Sequence, residues 1–380
     1  MSHVNTPTTA NTPRKRRTGW RPALALLLIS GLSLPVLAQN ASLHAGLRMT
    51  SVPGVAQGAT PSAPPIPVAL YYPTSAPEST LVLGPFTLQV AMQAAPEAQV
   101  KGLILLSHGT GGSELGHSQL ALALARAGYL VAALRHPGDN WQDRALLFNA
   151  HTQYFDERPR QASLVLDALL RDPEWAGRIA RDAQGPRIGA LGHSAGGYTV
   201  LALAGGMPDL QRLASHCAAQ RQQDPIFCGL RTRAQAAGPS SIPSAVPSAG
   251  PSTSPSTSAA AAPPSLRDAR VRAVVALSPV GAVFSAASLA AVRLPALVVV
   301  AEQDRFLVPR FHADWIAANL PGVQRLGVAN AWHFAFMDTP VTAIPSEDGD
   351  VRADPPGFDR PAYLRQLGQA LPAFFDTAWP

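Results

Sequence analysis

A chain of 380 residues, 47% of them apolar, has enough length for one large core or two smaller ones and is too polar for a multi-span membrane protein. Its formal charge of +6 is concentrated at one end. Arg14, Lys15, Arg16, Arg17 and Arg21 stand in the first 21 residues with no acid among them, so the remainder is nearly neutral and makes no case for a nucleic-acid or anionic-lipid surface.

Residues 1–38 read as an export signal. The basic run ends in Arg16-Arg17, an apolar stretch follows from Ala23 to Leu37, and Val36-Leu37-Ala38 places small residues before a cut. The rival is an uncleaved anchor, but about 15 apolar residues fall short of the roughly 20 that span a bilayer. The paired arginines also suit twin-arginine export. The expectation is a periplasmic or secreted protein with no stable membrane insertion after cleavage. Residues 39–65, rich in Ala, Gly, Pro and Ser, read as a flexible linker.

Ile66–Tyr72 and Phe86–Met92 have the alternation of edge strands, where Pro67 is tolerated. From Gly102 the rhythm changes. Leu103–Leu106 is a fully apolar run of the kind that parallel strands bury on both faces. Leu115–Ala127 has helical periodicity and stops at Gly128. Tyr129–Leu134 predicts a strand, Glu157–Leu170 an amphipathic helix, Arg187–Leu191 a strand and Ala195–Ala204 a helix of small residues. Val271–Leu277 and Ala296–Ala301 are further buried strands, Trp315–Leu320 lies in a helix, and Val323–Val328 closes the series. Strand and helix alternating in this way predict an α/β architecture, a doubly wound and mostly parallel sheet over residues 66–380. The segment 206–233 interrupts it as a small polar cap, and 234–265 is a Pro/Ser/Ala insertion too poor in apolar residues to build a core. No large apolar lid is visible across this region.

The two cysteines, Cys217 and Cys228, lie in the cap. In an exported chain they predict a local disulfide. His216 beside Cys217 suggests a ligand pair, but no third and fourth ligands follow at zinc-like spacing, so no metal is expected.

Gly192-His193-Ser194-Ala195-Gly196 is a Gly-x-Ser-x-Gly sequence set between a buried strand and a helix. That context is what a nucleophile elbow needs: the turn is so sharp that residues two before and two after the serine must lack bulk. Gly116-His117-Ser118 repeats the start of the motif without its later glycine or its strand. A serine hydroxyl needs a base, and the base an acid, in the chain order Ser, acid, His. Asp304 follows the apolar strand 296–301, with Glu302 as runner-up. His333 follows the last strand, whereas His312 lies in a helix beginning near Pro309 and reads as a surface or packing residue. The oxyanion requires preorganised donors. The backbone N–H of Ala195 is one, and Thr110, in Ser107-His108-Gly109-Thr110-Gly111-Gly112, supplies the second. That loop lacks the Gly-Lys-Ser/Thr ending of a phosphate cradle. His136–Asn140 and Trp141 belong to the same rim.

Leu106–Gly112, His136-Pro137-Gly138, Glu157-Arg158-Pro159-Arg160 and Gly192–Gly197 together resemble the exported predicted dienelactone hydrolases, a group related to the platelet-activating-factor acetylhydrolases of the α/β-hydrolase superfamily. The resemblance covers most of residues 66–340. It implies a triad on Ser194, Asp304 and His333 and an oxyanion pair on Thr110 and Ala195. The residues so arranged predict hydrolysis of a small-molecule ester without a cofactor, and the lack of a large apolar lid favours short acyl groups over long ones. Dienelactone hydrolases proper carry cysteine where this chain has serine. Two other readings stand beside ester hydrolysis: acyl transfer or amide cleavage by the same triad, and a silent binding protein on a hydrolase scaffold.

Overall fold

A computed structural model describes residues 43–54, 63–149, 151–236 and 265–379. The export signal expected at 1–38 lies outside the described residues. Ten strands form one sheet: β1 (His44–Val52), β2 (Ile66–Thr74), β3 (Ser79–Leu83), β4 (Phe86–Met92), β5 (Leu103–Ser107), β6 (Leu130–Leu134), β7 (Ile188–His193), β8 (Ala273–Leu277), β9 (Ala296–Ala301) and β10 (Gln324–Val328). Their order is β10-β9-β8-β7-β5-β6-β2-β1-β4-β3. The six strands from β10 to β6 run parallel to one another. β2 joins β6 antiparallel, and β1 joins β2 antiparallel.

The central strands are apolar throughout because both faces are covered. Side chains alternate between two cores. Leu103 and Leu105 of β5, with Val274 and Ala276 of β8, enter the core beneath α3 (His151–Arg171) and α4 (Ala195–Leu203). Ile104, Leu106, Val275 and Leu277 enter the opposite core beneath α1 (Ser118–Arg126) and α9 (Arg360–Ala378). This is the doubly wound sheet of the α/β-hydrolase fold.

Two expectations are corrected. The linker expected at 39–65 contains β1, which pairs with β2 over nine positions from His44↔Thr74 to Val52↔Ile66 and buries Ala45 and Leu47. Its composition is that of a linker, and it is the paired edge of β2 that supplies the hydrogen bonds of a strand. Residues 55–62 lie outside the described part. The helix expected at 157–170 begins earlier, at His151, and runs through Pro159. Proline cannot donate to the carbonyl four residues back. Here that carbonyl, of Phe155, accepts from the Tyr198 hydroxyl at 2.8 Å instead, which removes much of the usual penalty.

Between α4 and β8 the chain forms α5 (Leu210–Gln220) and α6 (Pro225–Ala236), joined by the Cys217–Cys228 disulfide. Asp209 caps α5 by accepting the Arg212 N–H at 2.8 Å. The first three residues of the expected Pro/Ser/Ala insertion, 234–236, belong to α6; residues 237–264 lie outside the described part.

Candidate active site

Ser194 occupies the turn between β7 and α4 with φ 56° and ψ −116°. A non-glycine residue is strained there, and the surroundings fix it in place. Its N–H donates to Leu277 O at 2.9 Å, while its carbonyl accepts from Tyr198 N and Val280 N, each at 3.1 Å. The flanking glycines are obligatory. A Cβ on Gly192 would stand 2.1 Å from Gly196 O, and one on Gly196 would stand 1.9 Å from Ser107 O.

Asp304 follows β9 and is held by its own turn, its Oδ1 accepting from Phe306 N at 2.9 Å and Leu307 N at 2.8 Å. Its Oδ2 accepts from His333 Nδ1 at 2.7 Å. That bond places the imidazole proton on Nδ1 and leaves Nε2 as the acceptor. Phe306 stacks on the His333 ring with centroids 4.8 Å apart. His193 Nε2 donates to the His333 carbonyl at 3.0 Å and so ties the histidine's backbone to the elbow. His333 and Ser194 border one cleft. Glu302, the runner-up acid, is half exposed beside Arg325.

The two oxyanion candidates adjoin Ser194. Ala195 opens α4, where first-turn amides have no acceptor within the helix. Thr110 lies on the loop after β5. A Cβ on Gly109 of this loop would stand 3.2 Å from Ser194 Cβ.

The His136–Asn140 stretch was expected on the rim. Most of it is buried beneath the oxyanion loop instead, where it works from below. Asp139 Oδ1 accepts the Gly111 N–H at 2.9 Å, and its Oδ2 accepts the Tyr154 hydroxyl at 2.7 Å and pairs with Arg158. Tyr154 in turn meets Thr110 Oγ1 at 2.7 Å, and Arg158 also donates to His108 O. Burial and the Arg158 cation hold His108 and His136 well below the ordinary imidazole pKa, so both are neutral acceptors and donors in this scaffold. The roles of Asp139, Tyr154 and Arg158 were missed in the sequence. One signal was available: Arg158, Ala162, Val165 and Leu169 fall at helical spacing on one face, which makes Arg158 a buried cation within an apolar stripe.

His312 is fully buried, a packing residue rather than a surface one. It donates from Nε2 to Asp224 Oδ2 at 2.8 Å and accepts the Gly281 N–H on Nδ1 at 3.1 Å. His216 of α5 meets the same carboxylate oxygen at 2.8 Å. These residues have the proximity of a metal site, but the bond from Gly281 fixes the His312 proton on Nε2, the nitrogen a metal would need. Cys217 and Cys228 are committed to their disulfide. The cluster fastens the cap.

Ser194 stands where two spaces meet. One is a small pocket of about 70 Å³, and the other a large cleft of about 790 Å³. No large apolar lid was expected, and what the cap supplies is three side chains, Leu213, Phe227 and Leu230, that wall the small pocket. They are the apolar side chains on the inward faces of two otherwise polar helices, too widely spaced to register as a hydrophobic run.

A parallel sheet carrying a strained serine at a strand-to-helix elbow, with an Asp-supported histidine across the cleft, defines a serine hydrolase of the α/β-hydrolase fold. The family model described as serine aminopeptidase, S33 (Hydrolase_4) matches residues 98–340, and the chain belongs to this family. A ferulic acid esterase from Streptomyces cinnamoneus is similar in structure, with a TM-score of 0.53 and 19% identity over 90% of this chain and 91% of that one. A dienelactone hydrolase from Anabaena variabilis aligns with a TM-score of 0.42 and 15% identity over 87% of this chain and 98% of that one. No curated protein matches the chain.

Proposed function

We propose that this protein is an exported carboxylic-ester hydrolase acting through Ser194, Asp304 and His333. The observation that carries the reading is the 2.7 Å bond from His333 Nδ1 to Asp304, which leaves Nε2 unprotonated on the cleft that Ser194 also borders. His333 Nε2 takes the Ser194 hydroxyl proton as Oγ bonds to the ester carbonyl carbon. The N–H groups of Thr110 and Ala195 hold the oxygen that becomes negative. The carbon–oxygen bond to the alcohol breaks, and His333 returns the proton to the leaving oxygen. Water, deprotonated by the same nitrogen, then attacks the acyl-enzyme, and Ser194 recovers its proton as the acid departs. Asp304 fixes the tautomer and stabilises the imidazolium.

The size of the small pocket supports short acyl groups. The ferulic acid esterase of similar fold is consistent with ester chemistry on this scaffold. The disulfide and the basic-then-apolar N-terminal pattern support export. Among the described residues no helix is long and apolar enough to cross a membrane.

Hydrolysis of p-nitrophenyl acetate, butyrate and decanoate by the full chain, beside Ser194→Ala, tests the reading. Turnover that falls about a thousandfold or more in the variant is expected. Equal turnover in the variant overturns the nucleophile, and no turnover of any ester moves the binding-scaffold reading forward.

A further inference from the structure

Resting on that reading, we infer that the two spaces divide the substrate: the small pocket takes a small, uncharged, apolar acyl group, and the large cleft takes a large polar alcohol such as a saccharide. The sides follow from the proton. The leaving oxygen must receive it from His333, and His333 borders the large cleft and not the small pocket. Thr110 and Ser194 border both spaces, but Ala195 borders the small pocket alone, so an acyl group whose oxygen is held at the Ala195 N–H directs its substituent there.

The pocket's chemistry defines the acyl group. Its described lining, including Phe155, Leu213, Phe227, Val280 and Leu307, carries no charged side chain. Apart from the nucleophile Ser194, the hydroxyls that line it are already engaged, Tyr154 with Asp139 and Thr110, and Tyr198 with Phe155 O. At about 70 Å³ it is half the size of an apolar cavity of roughly 150 Å³ that holds benzene. Acetyl to butanoyl groups fit that space. An amino-terminal residue does not, because its ammonium would be buried with no carboxylate to meet it.

The cleft differs in setting charged side chains, Glu114, Arg135, Arg144 and Glu347, among its apolar ones. Trp141 is 62% exposed beside the oxyanion loop and offers an indole face for a sugar ring. The Arg144 guanidinium lies over Gly111 with no carboxylate partner among the described residues, leaving its donors for hydroxyl groups.

The experiment uses two mirrored ester series on the full chain. One fixes a butanoyl group and enlarges the alcohol from ethyl to glucose to a disaccharide. The other fixes methanol and lengthens the acid from butanoate to decanoate and to a cinnamate. The expected result is kcat/KM sustained or raised along the first series and lowered at least about a hundredfold along the second. Leu213→Ala should recover part of the longer acids, and Trp141→Ala should raise KM for the saccharide ester more than for ethyl butanoate. Rates that fall with alcohol size and hold with acid size, or that are flat in both series, overturn the division while leaving the esterase intact. Release of p-nitroaniline from alanine p-nitroanilide at a rate matching the esters overturns it as well. Failure to hydrolyse any member of either series overturns the esterase reading itself.

Discussion

Asp139 and Arg158 form an ion pair with neither side chain exposed, directly beneath the loop that carries Thr110. A buried pair of this kind is costly to break, because the survivor is left as an uncompensated charge. Arg158→Met should therefore lower stability by about 3–5 kcal/mol, measured by urea unfolding. Tyr154→Phe is the milder probe. It removes the hydroxyl that joins Thr110 to Asp139 and leaves the ring in place. It should lower kcat about tenfold with KM little changed, as expected when a donor is misplaced in the transition state. An equal loss in Tyr154→Phe at the level of KM alone would assign the hydroxyl to substrate binding instead.

Asp304 and Glu302 are separated by one residue and have opposite surroundings. Asp304 is buried against His333, whereas Glu302 is half exposed. Asp304→Asn should lower kcat by about three to four orders of magnitude, since the amide no longer holds the His333 proton on Nδ1. Glu302→Gln should leave steady-state rates within a factor of two. The reverse pattern would return the acid to Glu302.

The disulfide closes a short loop, with a sequence separation of 11. Constraint of a loop of this size on the unfolded chain is worth about 2–3 kcal/mol. Cys217→Ser with Cys228→Ser should reduce unfolding stability by that amount in urea titrations followed by circular dichroism. Because Leu213 and Phe227 lie on the two bridged helices and line the small pocket, the variant should also discriminate less between butyrate and decanoate.

Four histidines near the site are buried and neutral. Burial, chiefly, holds His108, His136 and His193 well below the usual imidazole pKa, and holds His117 down to about 4. In the unfolded chain such groups protonate near pH 6.5. Between that value and their folded values the unfolded state binds more protons, so acid favours unfolding. The stability they contribute is complete above about pH 6.5 and is lost as pH falls toward 4. Urea midpoints taken at pH 7.5, 6 and 5 should fall with more than one proton's dependence, and a flat profile would contradict the neutral assignment.

How much could be read from the sequence depended on how local the constraint was. Ser194 was legible because its turn is steep enough to demand glycine two residues either side, a requirement written into five consecutive letters. Asp304 and His333 followed from chain order along apolar strands that the parallel sheet leaves unbroken. The supports of the site were not legible in this way. The Asp139, Tyr154 and Arg158 contacts join residues on a loop and a helix, and only the helical spacing of Arg158 with Ala162 hinted at burial. The bond between His312 and Asp224 crosses 88 positions, so no local pattern marks it. β1 was hidden by its composition, since what makes it a strand is the waiting edge of β2.

Ser194 owes its conformation to β8 as much as to its own turn: its N–H is bonded to Leu277 O, and its carbonyl accepts from Val280 N just beyond that strand. Yet β8 follows β7 only after the whole cap and residues 237–264 have been threaded, and closing so long a connection is slow compared with forming local helices. The elbow therefore cannot assume its working geometry until β8, far along the chain from β7, has docked. On refolding, catalytic competence should arrive after most of the helical signal, so that turnover reports this long-range docking.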